Sequence, residues 1–310
     1  MPGVGKTHDV VVVGGGPAGL TAGIYASRSG LGTVILEKMA PGGQAATTFA
    51  IENYPGFPGG VDGPGLMAAM EEQARRFGTE IVLDEAVSVR AQAGDYVIDT
   101  TGGQVRSRTV IIATGTRERP LGVPGETELR GRGVSYCATC DGAFFKDKKV
   151  AVVGGGDSAI TEALFLSRVA SMVTVVHRRD ALRANKHLQD RAFSNQRISF
   201  AWNSVVTAIE GKDRVEGIRL RDVKSGETTL IEADGVFVYV GFLPNTAFLT
   251  GVVNLDASGY VITDNMLRTS APGIFAAGDA RVKELRQVVT AAADGAVAAV
   301  SAERYLMGVS

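Results

Sequence analysis

Three features of the 310-residue sequence predict an α/β protein made of two similar halves, each with a parallel central sheet. The uniformly apolar run Val10-Val-Val-Val13 leads straight into Gly14-Gly-Gly-Pro-Ala-Gly19, the order of a buried strand, a tight turn and a helix. The same order returns 140 positions on, as Val150-Ala-Val-Val153 and Gly154-Gly-Gly-Asp-Ser-Ala159. Glycine supplies 40 residues without low-complexity repeats, well above the usual share of about 7%. That excess suits turns that close on phosphate groups.

Pro17 fits the first helical position, and Leu20, Ile24 and the neighbouring alanines give a compact helix that can lie close on a sheet. Thr33-Val-Ile-Leu-Glu37 is the expected second strand, closing a β-α-β unit of about 30 residues. A helix around Leu66, Met70 and Phe77, stopped by Gly78, comes next. Ile81-Val-Leu83, Tyr96-Val-Ile98 and Val110-Ile-Ile112, separated by turn signals such as Gly102-Gly103, read as an antiparallel insertion. After the second copy, whose second strand is Val173-Thr-Val-Val-His177, a similar hairpin series is expected. It runs through residues 214–220, a turn at Ser225-Gly226, and Val236-Phe-Val-Tyr-Val240. Ile274-Phe-Ala-Ala-Gly-Asp279 reads as one more strand and residues 288–306 as a helix. No linker-like segment separates the halves, so the crossings are expected within Thr114-Gly-Thr-Arg-Glu118 and Gly241-Phe-Leu-Pro-Asn245. One domain is then inserted in the other: residues 1–117 and 246–310 form the first, residues 118–245 the second.

In a glycine fingerprint the first Gly allows the tight turn, the second lets backbone approach a pyrophosphate, and the third lets helix pack on strand. Gly14, Gly16 and Gly19 fill these roles, followed by free N–H groups at a helix N-terminus, with Pro17 and Ala18 inside the loop. Glu37, eighteen residues beyond Gly19, can accept hydrogen bonds from a ribose and would repel a 2′-phosphate. The fold class is therefore two Rossmann-like, three-layer dinucleotide-binding domains. The second copy ends in alanine, with Gly154, Gly156 and Ala159. Where the first has Glu37, the second has His177, followed by Arg178, Arg179 and Arg183, cations able to clamp a 2′-phosphate. NADPH is expected over NADH.

The only two cysteines, Cys137 and Cys140, are three positions apart in Cys137-Ala-Thr-Cys140. This is the spacing of a dithiol redox pair, in which local structure favours a thiolate that can attack a disulfide. A zinc half-site is the competing reading, but tetrahedral zinc needs four ligands, there are no further cysteines, and His8, His177 and His187 show no suitable pairing. Two buried structural thiols are the plainer alternative; the pair's place beside Asp141 favours the redox reading. Gly5-Lys6-Thr7 resembles the end of a phosphate loop, but no strand precedes it. Trp202 is expected to be packing, and His8 and His187 ordinary surface residues. With 32 Lys and Arg against 33 Asp and Glu, the net charge of −1 gives no general attraction to nucleic acid or anionic lipid. The N-terminal residues lack an apolar signal core, and no stretch of about 18 apolar residues occurs. A cytoplasmic protein is expected.

Over essentially its whole length the chain resembles the low-molecular-weight thioredoxin reductases. The resemblance rests on both glycine loops, Pro41-Gly-Gly-Gln44, Glu52-Asn-Tyr-Pro-Gly56, Ala113-Thr-Gly115, Cys137-Ala-Thr-Cys-Asp-Gly142, His177-Arg-Arg179 and Phe275-Ala-Ala-Gly-Asp279 with Arg286-Gln-Val288. It implies FAD in the first domain and NADPH in the second. Gln44, Asn53, Asp279 and Arg286, Gln287 and Val288 would line the flavin, beside Lys38, Gly43, Ala113, Thr114, Gly115 and Gly278. Asp157, Ser158, His177 and the three arginines would hold NADPH. By the same resemblance Cys140 faces the flavin, Cys137 attacks thioredoxin, Asp141 is the general acid/base, and the protein is a homodimer. Some relatives carry an aromatic at Ala143, a departure that touches the partner-docking surface. Since dithiol and nicotinamide ride on one domain and share access to one flavin, they are expected to alternate by domain rotation. A dithiol oxidase or a ferredoxin-fed reductase of the same fold would lack the second nucleotide signature. A non-catalytic flavin redox sensor would not turn over NADPH.

Overall fold

The computed structural model describes residues 7–48 and 50–309. Gly5 and Lys6 of the phosphate-loop lookalike lie outside them. The chain forms two compact units, residues 1–117 with 243–310 and residues 118–242. In the first, β1 (Thr7–Val13), α1 (Pro17–Arg28), β2 (Thr33–Glu37), α2 (Gly63–Arg76) and β3 (Glu80–Leu83) alternate, then β4 (Ala86–Gln92), β5 (Asp95–Thr100) and β6 (Gly103–Ile112) follow one another. The crossing strand β7 (Thr116–Glu118) leads to the second unit. There the elements are β8 (Val134–Ser135), the one-turn helix α3 (Ala138–Asp141), β9 (Lys149–Val153), α4 (Asp157–Leu166), β10 (Met172–Val176), α5 (Lys186–Phe193) and β11 (Ile198–Ala201). The strands β12 (Ser204–Glu210), β13 (Gly217–Asp222), β14 (Thr228–Glu232) and β15 (Gly235–Val238) complete it. The chain returns through β16 (Phe242–Pro244), which pairs with β7, and ends in β17 (Ile274–Ala276) and α6 (Val288–Leu306).

The first unit's sheet runs β3-β2-β1-β6-β5-β4, with β17 also on β6. Its central strands are apolar on both sides because both sides are covered. Val10 and Val12 pack with Ile35, Ile111 and the helical residues Leu20, Leu66 and Ala298, while Val11 and Val13 pack with Leu36, Ile98 and Leu249. Val10, Val11 and Val12 are fully buried, each stabilising the unit by roughly 1.5–3 kcal/mol. The second unit repeats the plan in a parallel sheet, β11-β10-β9-β15-β8. Val150 and Val152 meet Ile160, Ala163 and Leu166 of α4 on one face, and Val153 meets Val206, Ile218 and Leu220 of the antiparallel sheet β12-β13-β14 on the other.

Four sequence expectations need correction. Residues 81–83 do not belong to an antiparallel insertion: β3 pairs parallel with β2, because α2 lies between them and a strand-helix-strand crossover returns the chain in the same direction. The antiparallel part is β4, β5 and the first half of β6, whose second half runs parallel to β1 and β17. Residues 236–240 likewise leave the hairpin series, since β15 pairs parallel with β9 and β8. The return to the first unit comes at residue 243 rather than 246, for β16 carries the ladder on and Asn245 is held by the Gly115 and Thr114 carbonyls. His8 is buried, at 4% exposure, since it sits on β1 opposite Ser107 of β6. Among the described residues no helix is long and apolar enough to cross a membrane.

Candidate active site

In the first unit the loop after β1 turns at Gly14, whose φ of +106° and closeness to Ala113, 2.4 Å from an added Cβ to the carbonyl oxygen, admit only glycine. Gly16 precedes α1, and Pro17 occupies its first turn. Glu37 at the end of β2 reaches back under this loop: its Oε2 accepts the Gly15 N–H at 2.7 Å and its Oε1 the Met39 N–H at 3.0 Å. Gly43 lies against Gly16, and the amide of the adjacent Gln44 donates to Thr116. Lys38 points away to Glu85 at 2.7 Å. The Asn53 amide donates to Gln287 Oε1 at 2.9 Å, and Gln287 with Thr290 caps α6. Arg286 stacks its guanidinium 4.3 Å over the Tyr260 ring.

Three buried polar atoms of this unit have no partner among the described residues: Thr114 Oγ1, Asp279 Oδ1 and Arg286 Nε. Burial pushes the Asp279 carboxyl up despite the opposing pull of Lys283 and Arg286. Leaving such groups unsatisfied costs roughly 1–3 kcal/mol each, so they mark a place for a polar ligand. The loop carrying Asp279 is held from behind by Asp294 of α6. That carboxylate accepts the Gly278 N–H at 3.0 Å, Arg281 Nε at 2.8 Å and Lys283 Nζ at 2.8 Å. Burial alone would raise it, but these bonds hold it below the usual carboxylate range.

The second loop repeats the first with different chemistry. Gly154 turns with a φ of +151°, Gly156 precedes α4, and Ala159 is buried where the first copy has Gly19. His177 takes the place of Glu37: its ring lies under Gly155, 2.4 Å from an added Cβ there, and edge-on to Trp202 at 6.5 Å. Burial, reinforced by Arg183, Arg179 and Arg178, lowers its basicity, so the expected cation is a neutral ring. Asp157 accepts the Asn185 N–H at 2.7 Å, and Ser158 is exposed. Arg178, Arg179 and Arg183 are exposed, and Arg183 N–H is tied to Gly155 carbonyl at 2.7 Å.

Cys137 and Cys140 are joined as a disulfide with their Cα atoms 5.3 Å apart. Cys137 caps α3, its Sγ accepting the Cys140 N–H at 3.2 Å. Ser135, at the end of β8, ties the turn together: its Oγ accepts the Cys137 N–H at 3.0 Å and donates to Asp141 Oδ2 at 2.7 Å. The Tyr239 oxygen, just beyond β15, accepts the Ala138 N–H at 2.9 Å. Sequence reasoning missed Ser135, Tyr239, Glu162 and Asp294. Asp294 and Glu162 carried a signal, each an acid in the interior of a largely apolar helix.

A family model described as pyridine nucleotide-disulphide oxidoreductase matches residues 8–295. The chain belongs to that family. It is an oxidoreductase of the bacterial thioredoxin reductase type. A thioredoxin reductase of Streptomyces clavuligerus is 49% identical over 303 residues, covering 96% of this chain and 94% of that one. One from Peptoclostridium acidaminophilum is 46% identical, covering 97% and 98%. Among solved structures, the thioredoxin reductase of Lactococcus lactis matches with a TM-score of 0.96 at 43% identity, over 98% of this chain and all of that one. That of T. acidophilum reaches 0.94 at 38% identity with the same coverage. Members of this family are built on the two-domain α/β plan found here.

Proposed function

We propose that this chain is an NADPH-dependent flavoprotein that reduces the disulfide of thioredoxin or a thioredoxin-like protein. The carrying observation is the Cys137–Cys140 disulfide on the same unit as the second glycine loop. The relatives named above support the substrate class. FAD fits the first unit, where Asp279, Arg286 and Thr114 present unpartnered buried atoms and Glu37 lies under the loop. When bound, it supplies a hydride acceptor that hands the electron pair on to the disulfide. Gln44, Asn53, Gln287 and Val288 would complete its lining. Arg178, Arg179 and Arg183 would take the 2′-phosphate of NADPH bidentately.

With the disulfide reduced, Cys137 Sγ attacks one sulfur of the substrate disulfide, forming a mixed disulfide and releasing one substrate thiolate. Cys140 Sγ then attacks Cys137 Sγ, which restores the internal disulfide and releases the second thiolate. The Cys140 N–H aimed at Cys137 Sγ stabilises negative charge there, which supports Cys137 as the attacking sulfur. Asp141, oriented by Ser135, would carry the proton that the cleaved disulfide needs. Dithiol and nucleotide loop share one unit and must both reach the flavin, so they alternate by rotation of that unit about the crossings β7 and β16.

The test is anaerobic mixing of the purified yellow protein with NADPH, then separately with NADH, followed by oxidised thioredoxin, with flavin absorbance followed throughout. Bleaching by NADPH and recovery on thioredoxin are expected. Bleaching by dithiothreitol but by neither nucleotide would replace this reading with an oxidase or a ferredoxin-fed reductase.

A further inference from the structure

The residue before Cys137 is clasped to the segment by which the chain enters the second unit. After β7 the chain passes Leu121 and Gly122 and turns at Pro124-Gly125, where a φ of +85°, and an added Cβ that would run into the Ile209 carbonyl oxygen, admit glycine alone. The Ile209 N–H donates to the Pro124 carbonyl at 2.9 Å, which fixes this turn on β12. Glu126 follows at once and is buried, at 3% exposure. Its carboxylate reaches in two directions. Oε1 accepts the Leu121 N–H at 2.7 Å and Oε2 the Gly122 N–H at 2.7 Å, while the Tyr136 hydroxyl donates to Oε1 at 2.6 Å. Hydrogen bonds to a carboxylate run roughly twice as strong as neutral ones, which makes this a stiff joint. The Arg130 guanidinium lies over the Tyr136 ring, 5.0 Å from its centroid. Burial and the bond to Glu126 push the phenol well above the ordinary tyrosine range, so it stays a donor.

We propose that Glu126 is a positioning residue for the redox pair: through its bond to Tyr136 it fixes the backbone that carries Cys137 to the entry segment at Leu121 and Gly122. The proposal rests on Cys137 and Cys140 being the reacting groups. Ser135 shapes the turn from within; Glu126 holds it from outside. Once the disulfide is open, its closure depends on how far the chain lets the two sulfurs part. A Cys137 whose neighbour is clasped stays within reach of Cys140, which raises the effective concentration of one thiol at the other. The attack of Cys140 Sγ on Cys137 Sγ, the step that releases the substrate from the mixed disulfide, gains by the same restraint.

The experiment equilibrates the FAD-loaded enzyme anaerobically, at neutral pH, with graded ratios of reduced to oxidised dithiothreitol, then alkylates the thiols and weighs the intact chain. With two cysteines in the sequence, the mass reads this pair alone. Dithiothreitol supplies both electrons and becomes its own cyclic disulfide. In Y136F the internal disulfide should be about tenfold easier to open than in the wild type, the low end of what a hydrogen bond to a charged group is worth, and about 30 mV for a two-electron couple. E126Q, which keeps the size of the side chain but replaces one acceptor oxygen by a donor, should shift the equilibrium the same way, and the double variant no further than E126Q alone. Y136F removes one oxygen, keeps the ring under Arg130 and leaves Glu126 on both backbone N–H groups, so its fold is retained. A Y136F equilibrium equal to the wild type's, even beside a lowered melting midpoint, would overturn the proposal, for the bond would then hold the fold and not the pair. Additive shifts in the double variant would overturn it too. A wild-type pair that dithiothreitol opens at no ratio would overturn the function proposed above and this inference with it.

Discussion

A buried carboxyl makes stability depend on pH in a direction set by its own shift, and Glu162 is the clearest case in the molecule. Its ordinary value is 4.5 and burial raises it to about 7 in the folded chain. Between those values the folded state holds a proton that the unfolded state releases, so its contribution is fully present below pH 4.5 and is lost as pH rises through 7. The loss amounts to about 3 kcal/mol. The side-chain amide of an E162Q variant cannot ionise and carries no such loss. The variant should therefore match the wild type at pH 4 and melt several degrees higher at pH 8, which parallel thermal scans across that range would measure; equal midpoints at pH 8 would count against a desolvated carboxyl. At this scale the sequence was readable where a residue's job is local. Gly14 and Gly154 could be read because a positive φ needs no distant partner. His177 could not. The sequence places it among three arginines, yet its N–H pairs with the Ala201 carbonyl at 3.0 Å, which keeps it in register beside β11 and turns the ring under Gly155. Ser135 and Asp141 meet across the redox turn, and Tyr239, 101 positions beyond Ala138, reaches the same turn there, a pairing nothing local to Tyr239 names.

Elements were legible when their hydrophobic period was long and their boundaries carried turn chemistry. The α6 bounds match the expected 288–306, and α2 stops where Phe77 and Gly78 end it. Pairing direction was less legible, because short apolar runs such as Ile81-Val-Leu83 read the same in parallel and antiparallel sheets, and the intervening helix decides between them. The contact of α1 with α6 shows another limit. Gly295 sits in the middle of an alanine-rich helix, where propensity favours alanine by about 1 kcal/mol. A Cβ there would stand 2.1 Å from the Ala18 carbonyl oxygen and 3.0 Å from Ala22 N, both backbone atoms of α1 that cannot swing aside. Such overpacking costs typically 1–3 kcal/mol and outweighs the propensity gain. Gly295→Ala should lower the melting midpoint and, because α1 opens from the first glycine loop, release flavin at a lower temperature than the wild type. Flavin fluorescence during a thermal ramp reads both; an unshifted release would mean the helices slide apart without disturbing the loop.

On the scale of the whole molecule, two units of the same plan differ in what their loops face. In the first, Glu37 lies beneath the glycine loop and two distant segments bring Asn53 to Gln287. In the second, a neutral His177 lies beneath it, exposed arginines follow, and the disulfide is carried on a turn held by Ser135 and Tyr239. The 140-residue repeat made this duplication readable from sequence, and the insertion of one unit in the other followed from the two crossings. If the first unit holds the flavin, the second has two groups to present to it, a nicotinamide and a disulfide. One rigid placement cannot serve both, because each transfer needs near contact and each would occupy the flavin's open face. A covalent cross-link between the units, formed through cysteines introduced on their surfaces, should therefore abolish steady turnover while leaving one half-reaction intact: either reduction by NADPH or exchange with a dithiol, according to the placement trapped. Stopped-flow flavin absorbance with each reductant separately would distinguish the two, and reducing the cross-link should restore turnover. Full turnover with the cross-link in place would show that both groups reach the flavin without rotation, and the alternation would have to be abandoned while the assignment of the dithiol stood.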